Sequence, residues 1–143
     1  MSLERAKKGI KRFGYIWVIV GAIVLVLGVI LILGGRVAAA DVEKAENAAR
    51  FTYSGIVNVI LGLVGIDAGY RCFKAVKDSK KLRDVKTIAS IGIGLAILAI
   101  LGGFVKGTLA PQNLSTCIAS IVVNGLLYYE THVVKKGLEA ENN

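Results

Sequence analysis

The sequence is poor in the residues that build most metal and redox centres. Its 143 residues include one histidine, two cysteines and one methionine. This inventory excludes a zinc or haem site assembled from several histidine and cysteine ligands. We expect no cofactor.

The chain is instead rich in apolar residues. They make up 55% of the sequence, and the mean hydropathy is +0.63. A soluble domain has roughly 45–50% apolar residues even when glycine is counted. The same figures exclude a disordered chain, and the length corresponds to one domain, 1–143.

Four apolar stretches predict four membrane spans. Each is close to the roughly 20 residues that cross about 30 Å of hydrocarbon, and a backbone in lipid must satisfy its own hydrogen bonds as a helix. The sequence therefore predicts an all-α integral membrane four-helix bundle. The predicted spans are 13–35, 51–75, 85–106 and 112–132, with a helical extension at 41–50 and a basic loop at 76–84.

Three features predict where helices end. Asp78 is placed to end the second helix and cap the next one, and Gly107 to Pro111 is predicted to break the chain before the last helix. Gly137 is predicted to end the last helix.

The aromatic residues lie near the ends of these spans. Phe13, Tyr15 and Trp17 begin the first one, and Tyr128 and Tyr129 lie at the end of the fourth. This distribution is typical of the aromatic belts at membrane interfaces.

Basic residues predict the orientation. Of the 18 Lys and Arg, 14 flank the spans on the side of the two termini and of the 76–84 loop, and 4 lie on the other side. The positive-inside rule then places both termini in the cytoplasm, with the protein in the cell membrane. Anionic lipid headgroups account for the positive charge, and no nucleic-acid partner is expected. Ala38 to Ala40 resembles a signal-peptidase site, but the preceding apolar run is too long, so we expect no cleavage.

Small residues repeat every seven positions on three helices. Seven residues return to nearly the same helix face, so each set forms a stripe that predicts left-handed packing at about +20°. The first two stripes are expected to pack antiparallel; the alternative is a glycine-lined pore wall. The sets are Gly14, Gly21, Gly28 and Gly35; Gly55, Gly62 and Gly69; and Ala89, Ala96 and Gly103.

Asp67 is the only acidic residue within an apolar stretch. It lies about one turn inside the predicted cytoplasmic edge, and Arg71 follows at i+4. We expect an ion pair at the interface. The alternative is a carboxylate that couples transport to a proton or cation and faces a partner helix.

Polar residues also recur in the fourth span. Thr116, Ser120, Asn124 and Tyr128 follow one another at i+4, and Asn58 lies at a comparable depth in the second span. Asn58 and Asn124 are expected to be near enough to meet. These groups form either interhelical hydrogen bonds, worth about 0.6–1.7 kcal/mol each, or a polar path for a small solute or ion.

Catalytic chemistry is not expected. His132 has no serine at its depth for a hydrolase triad. Metal hydrolysis or phosphoryl transfer would need clustered carboxylates, and Asp67 is the only acid expected within the membrane. Cys72 and Cys117 are predicted near opposite faces of the membrane, too far apart for a disulfide, and both are interpreted as packing residues.

Two hypotheses for function remain. The first is an oligomeric channel or transporter for a small solute or ion that uses the polar stripe of the fourth span. The alternative is a structural, accessory or assembly subunit of a larger membrane complex.

Overall fold

The computed structural model describes residues 3–40, 45–108 and 111–141. They form four long α-helices: α1 (Leu3–Ala39), α2 (Ala45–Lys77), α3 (Leu82–Lys106) and α4 (Pro111–Glu141). Each helix is long and apolar enough to cross a membrane. The fold is thus an all-helical bundle, which indicates a multi-pass membrane protein.

The helices pack mostly with their neighbours in the chain. The most extensive packing joins α1 to α2, followed by α3 to α4 and then α2 to α3. The packing between α1 and α4 is sparser, and α2 barely touches α4. The four helices therefore form a ring in which α2 and α4 are diagonal.

The backbones of α1 and α2 approach each other closely at several glycine positions. A Cβ atom built at Gly21 would lie 2.8 Å from the Gly62 carbonyl oxygen, and one built at Gly69 would lie 2.7 Å from the Gly14 carbonyl oxygen. Carbon atoms do not approach backbone oxygens so closely. Only glycine fits at these positions unless the facing backbone moves.

The helices extend beyond the predicted spans. α1 has 37 residues, or about 55 Å at 1.5 Å per residue, whereas the prediction was 13–35. Its first turns bury Ala6 and Ile10 in a core cluster that also contains Val134 of α4. Hydropathy marks where lipid ends, but these amphipathic turns continue the helix beyond that point.

The connection between α2 and α3 lies inside the predicted loop at 76–84 but is shorter, and the predicted helix end at Gly137 is wrong. α2 continues to Lys77, a short 3-10 turn covers Ser79–Lys81, and α3 begins at Leu82. The Asp78 side chain accepts a hydrogen bond from the Lys80 N–H at 3.1 Å and so caps this turn. Gly137 lies inside α4, which continues to Glu141.

The helix end predicted at Gly107 is confirmed, while residues 109 and 110 of the predicted break lie outside the described residues. Gly107 has φ 63°, the left-handed conformation that favours glycine, and its N–H bonds back to the carbonyls of Gly103 and Phe104. Pro111 then begins α4. In the predicted 41–50 extension, residues from Ala45 onward are helical; 41–44 lie outside the described residues.

Candidate functional site in the bundle interior

The interior face of α4 is unusually polar for a membrane helix. Its buried positions alternate by three and four residues, which keeps them on one face of the helix. From the first polar position, Asn113, to the last, Thr131, the distance is about 27 Å at 1.5 Å per residue. The buried residues of this face are Asn113, Cys117, Ser120, Asn124, Leu127, Thr131 and Val134.

The predicted i+4 stripe only partly coincides with this face. Ser120 and Asn124 are buried, Thr116 is partly exposed, and Tyr128 is 40% exposed on the outside. Steps of four residues drift about 40° each, so the stripe leaves the interior after Asn124. The sequence analysis missed Asn113 and Thr131, although their seven-residue spacing from Ser120 and Asn124 would have revealed them.

Asn124 is held tightly inside the bundle. Its Nδ2 donates hydrogen bonds to the Ser120 carbonyl at 2.9 Å and to Ser120 Oγ at 3.2 Å. Its amide packs on Gly92 of α3, where an added Cβ would lie 2.7 Å from Nδ2. The side chain is 2% exposed, yet its Oδ1 accepts no hydrogen bond. Asn124 thus presents an unpaired acceptor to the interior.

Asn58 of α2 has the same property. Its side chain is buried, and Oδ1 has no hydrogen-bond partner. The two amides are not hydrogen-bonded to each other, because the Oδ1 atoms of both Asn58 and Asn124 are unpaired. The diagonal placement of α2 and α4 separates the helices that carry them.

Trp17 differs most from the sequence-based expectation. It was predicted to lie in the interfacial belt, but the ring is 6% exposed and packs against Gly65 of α2, where an added Cβ would lie 3.0 Å from Trp17 Cε3. Its indole Nε1 donates no hydrogen bond. Trp17 therefore contributes an unpaired donor to the interior, close to the cytoplasmic end predicted for α1.

An apolar cavity of about 260 Å³, called here the α1–α4 cleft, lies where α1 and α4 pack sparsely. Its rim contains the exposed residues Ile16, Val20 and Ala119. The cleft therefore opens onto the outer surface of the bundle. The remaining lining residues are Trp17, Gly21, Val24, Leu61, Thr116, Ser120 and Val123.

The polar face of α4 ends beside a cationic group. Thr131 Oγ1 donates to the Leu127 carbonyl at 2.7 Å. Next to it, Lys86 Nζ of α3 lies 3.3 Å from His132 Nδ1 and 4.7 Å from the centre of the Tyr128 ring. This end of the polar face of α4 therefore lies near a positive charge.

At the opposite end of the bundle, the hydroxyl of Tyr53 on α2 donates to the Ala99 carbonyl of α3. This bond links the two helices near the predicted outer side. Tyr53 packs against a second core cluster that includes Ala96 and Cys117. Cys72 lies in the first cluster, and both thiols are free.

Asp67 and Arg71 lie away from this interior. Arg71 Nε donates to Asp67 Oδ2 at 2.9 Å, and the two side chains are 44% and 36% exposed respectively. On the same turn of α2, Lys74 Nζ lies 4.4 Å from the centre of the Tyr70 ring. No charged side chain is among the buried residues that the structure describes.

Within the residues that the structure describes, no three His, Cys, Asp or Glu side chains group together to hold a metal ion. Comparison of the chain with protein-family models, with curated proteins and with solved structures found no match.

Proposed function

We propose that this protein lets a small, uncharged polar solute cross the cell membrane along the polar interior face of α4. The observation that carries this proposal is the pair of buried, unpaired amide oxygens on Asn58 and Asn124. A buried acceptor without a partner costs about 1–3 kcal/mol. A core that served packing alone would be more stable with apolar residues at both positions.

The chemistry of the interior favours a neutral solute. Hydroxyl and amide groups recur along α4 at Ser120, Asn124 and Thr131, and the buried residues described include no charged side chain. Such groups can replace the hydrogen bonds that a solute such as a polyol or an amide loses on leaving water. No charged side chain lies among the described buried residues to offset the charge of an ion in a low dielectric.

The path is closed in this conformation. Cys117 and Leu127 are fully buried and interrupt the polar face on either side of Ser120 and Asn124. Passage requires α1 to move relative to α4, and their packing is the sparsest among neighbours in the ring. We infer that opening occurs along this contact.

The arrangement in the membrane is also part of the proposal. The bias in Lys and Arg supports cytoplasmic termini and contacts with anionic headgroups. We further infer left-handed α1–α2 packing through a glycine seam, defined as Gly14, Gly21, Gly28 and Gly35 against Gly55, Gly62 and Gly69, and supported by their close approach.

The bundle is proposed to form a homo-oligomer. In support, only 17% of the most apolar stretch of α1 is buried within the bundle. The same exposed stretch favours the second candidate, an accessory subunit whose α1 docks on a larger membrane complex. A surface that only contacts lipid would be equally apolar, so the exposure of α1 does not distinguish the two candidate functions. A transport measurement does.

Liposome permeability tests the proposal. Stopped-flow light scattering would follow the re-swelling of proteoliposomes after a hyperosmotic challenge with glycerol or urea. We expect faster re-swelling with the wild type than with empty liposomes. The nearly isosteric changes Asn58→Leu and Asn124→Leu should abolish this gain.

Asn47→Leu is the matched control, because Asn47 is exposed on the same helix as Asn58. It should re-swell like the wild type. Wild-type protein that passes neither solute would contradict the proposal and favour the accessory subunit. Passage of potassium in place of glycerol and urea would contradict the neutral-solute selectivity.

A further inference from the structure

We propose that the α1–α4 cleft binds a small, uncharged, mostly apolar molecule that carries one hydrogen-bond acceptor and enters from the lipid. This site lies beside the path proposed above and shares Ser120 with it, but binding there does not require any solute to cross the membrane. Three properties of the cleft carry the inference: its opening, its size and the Ser120 hydroxyl in its floor.

The cleft opens toward lipid rather than toward water. The exposed side chains of Ile16 and Val20 form its rim on α1, and Ala119 forms it on α4. All three lie within candidate membrane spans, Glu4–Val37 for the two residues of α1 and Asn113–Ala140 for Ala119. A molecule dissolved in the hydrocarbon can reach the floor without crossing a polar surface.

The size of the cleft limits the occupant. A cavity of about 150 Å³ holds benzene, so about 260 Å³ suits a molecule of roughly ten heavy atoms. A whole phospholipid does not fit. We therefore assign the cleft to a small membrane-dissolved molecule.

The floor offers one hydrogen-bond donor. Ser120 Oγ accepts a hydrogen bond from Asn124 Nδ2, and that bond does not use the hydrogen of the Ser120 hydroxyl. Trp17 also lines the cleft, but its Nε1 atom is fully buried and out of reach of the cavity. One donor in an apolar pocket selects a carbonyl or ether oxygen. None of the lining residues is charged, so the occupant is neutral.

Trp17 also provides the readout, because it is the only tryptophan in the chain. Bromine quenches indole fluorescence on contact. The probe is 7-bromoheptan-2-one, and 1-bromoheptane is its counterpart without an acceptor. Each is added to proteoliposomes, and the signal is expressed per mole fraction of probe in the bilayer.

We expect saturable quenching by the ketone at a mole fraction about five- to tenfold lower than by the bromoalkane, which corresponds to one hydrogen bond of ordinary net strength. Equal curves for the two probes would overturn the inference. So would saturating quenching by a phospholipid brominated on its acyl chain, because lipid tails would then already occupy the cleft.

Two substitutions locate the site. Ala119→Phe fills the cleft from its rim and should remove saturable quenching, whereas Ala22→Phe makes the same change on an exposed part of α1 outside the cleft and should not. Ser120→Ala removes this donor without adding bulk and should weaken ketone binding several-fold. Unchanged binding in Ser120→Ala and in a folded Ala119→Phe would place the ketone elsewhere.

Discussion

Gly28 of α1 and Gly55 of α2 lie back to back. A Cβ atom built on either residue would lie 2.7 Å from the carbonyl oxygen of the other. The relationship is reciprocal, so a side chain added at either residue would push the other helix away. In lipid, where apolar burial gives little drive for helix association, contact of this kind is the main source of packing energy.

We expect Gly55→Ala to destabilise the bundle by about 1–2 kcal/mol, because the added methyl group meets backbone rather than a flexible side chain. Unfolding in mixed detergent micelles, followed by circular dichroism, measures the change. Gly94→Ala on α3 is the matched control. Nothing lies within 4 Å of its Cβ position, so it should gain up to about 1 kcal/mol from helix propensity. Equal effects at the two sites would contradict the close approach.

Asn124→Leu should leave stability unchanged or raise it by up to about 1 kcal/mol. The change removes an unpaired buried acceptor and loses only bonds made within one helix turn. The same unfolding assay measures this change. A loss of permeability without a loss of stability would identify the amide as functional. A loss of more than about 2 kcal/mol would instead make it a structural bond.

The Asp67–Arg71 pair should contribute little to stability. Both side chains are more than a third exposed, and exposed i,i+4 pairs are worth about 0.2–1 kcal/mol. A double-mutant cycle with Asp67→Asn and Arg71→Gln should give a coupling energy within that range, with glycerol permeability unchanged. A loss of glycerol permeability in Asp67→Asn would instead support the alternative that the Asp67 carboxylate couples transport to a proton or cation.

Two other glycines should respond in opposite directions to alanine. Gly107 has a positive φ, so Gly107→Ala should cost about 1–2 kcal/mol. Gly137 lies inside α4 with open space around it, so Gly137→Ala should gain about 0.5–1 kcal/mol. Thermal unfolding in detergent distinguishes the two signs. A destabilised Gly137→Ala would mean that the helix ends there after all.

The orientation can be tested by labelling. Ser79 and Lys106 are exposed near opposite ends of the bundle, while both native cysteines are buried. On intact cells an impermeant maleimide should label Lys106→Cys and not Ser79→Cys, which should react only after permeabilisation. Wild-type protein gives the background. The reverse pattern would place the termini outside.

The four long apolar helices could be predicted from the sequence because lipid imposes a length and an apolar composition on each helix that crosses it. The side-chain directions were harder to predict. Trp17 lies three residues after Gly14 and four before Gly21, so the repeat of the glycines already placed it on the inner face. Its position near a span end was interpreted as interfacial because depth was considered without rotation about the helix axis.

Other features depend on packing that no local pattern specifies. Gly137 carries a propensity penalty of about 1 kcal/mol, but it lies between Val134 and Leu138, which pack into the first core cluster. The burial of Val134 and Leu138 stabilises the helix on both sides of Gly137, so α4 continues through it. The α1–α4 cleft depends on the spacing between helices far apart in the chain, which has no signature in either sequence segment.

The packing of the two chain ends has a consequence for biosynthesis. The core cluster that buries Ala6 and Ile10 near the amino terminus also includes Val134 of the last helix. While the ribosome is still making α4, the first turns of α1 have no complete core to enter. The α1–α2 pair, which has the most extensive packing in the bundle, is synthesised before α4, whereas the core at the basic end of the bundle is complete only after α4 has been synthesised.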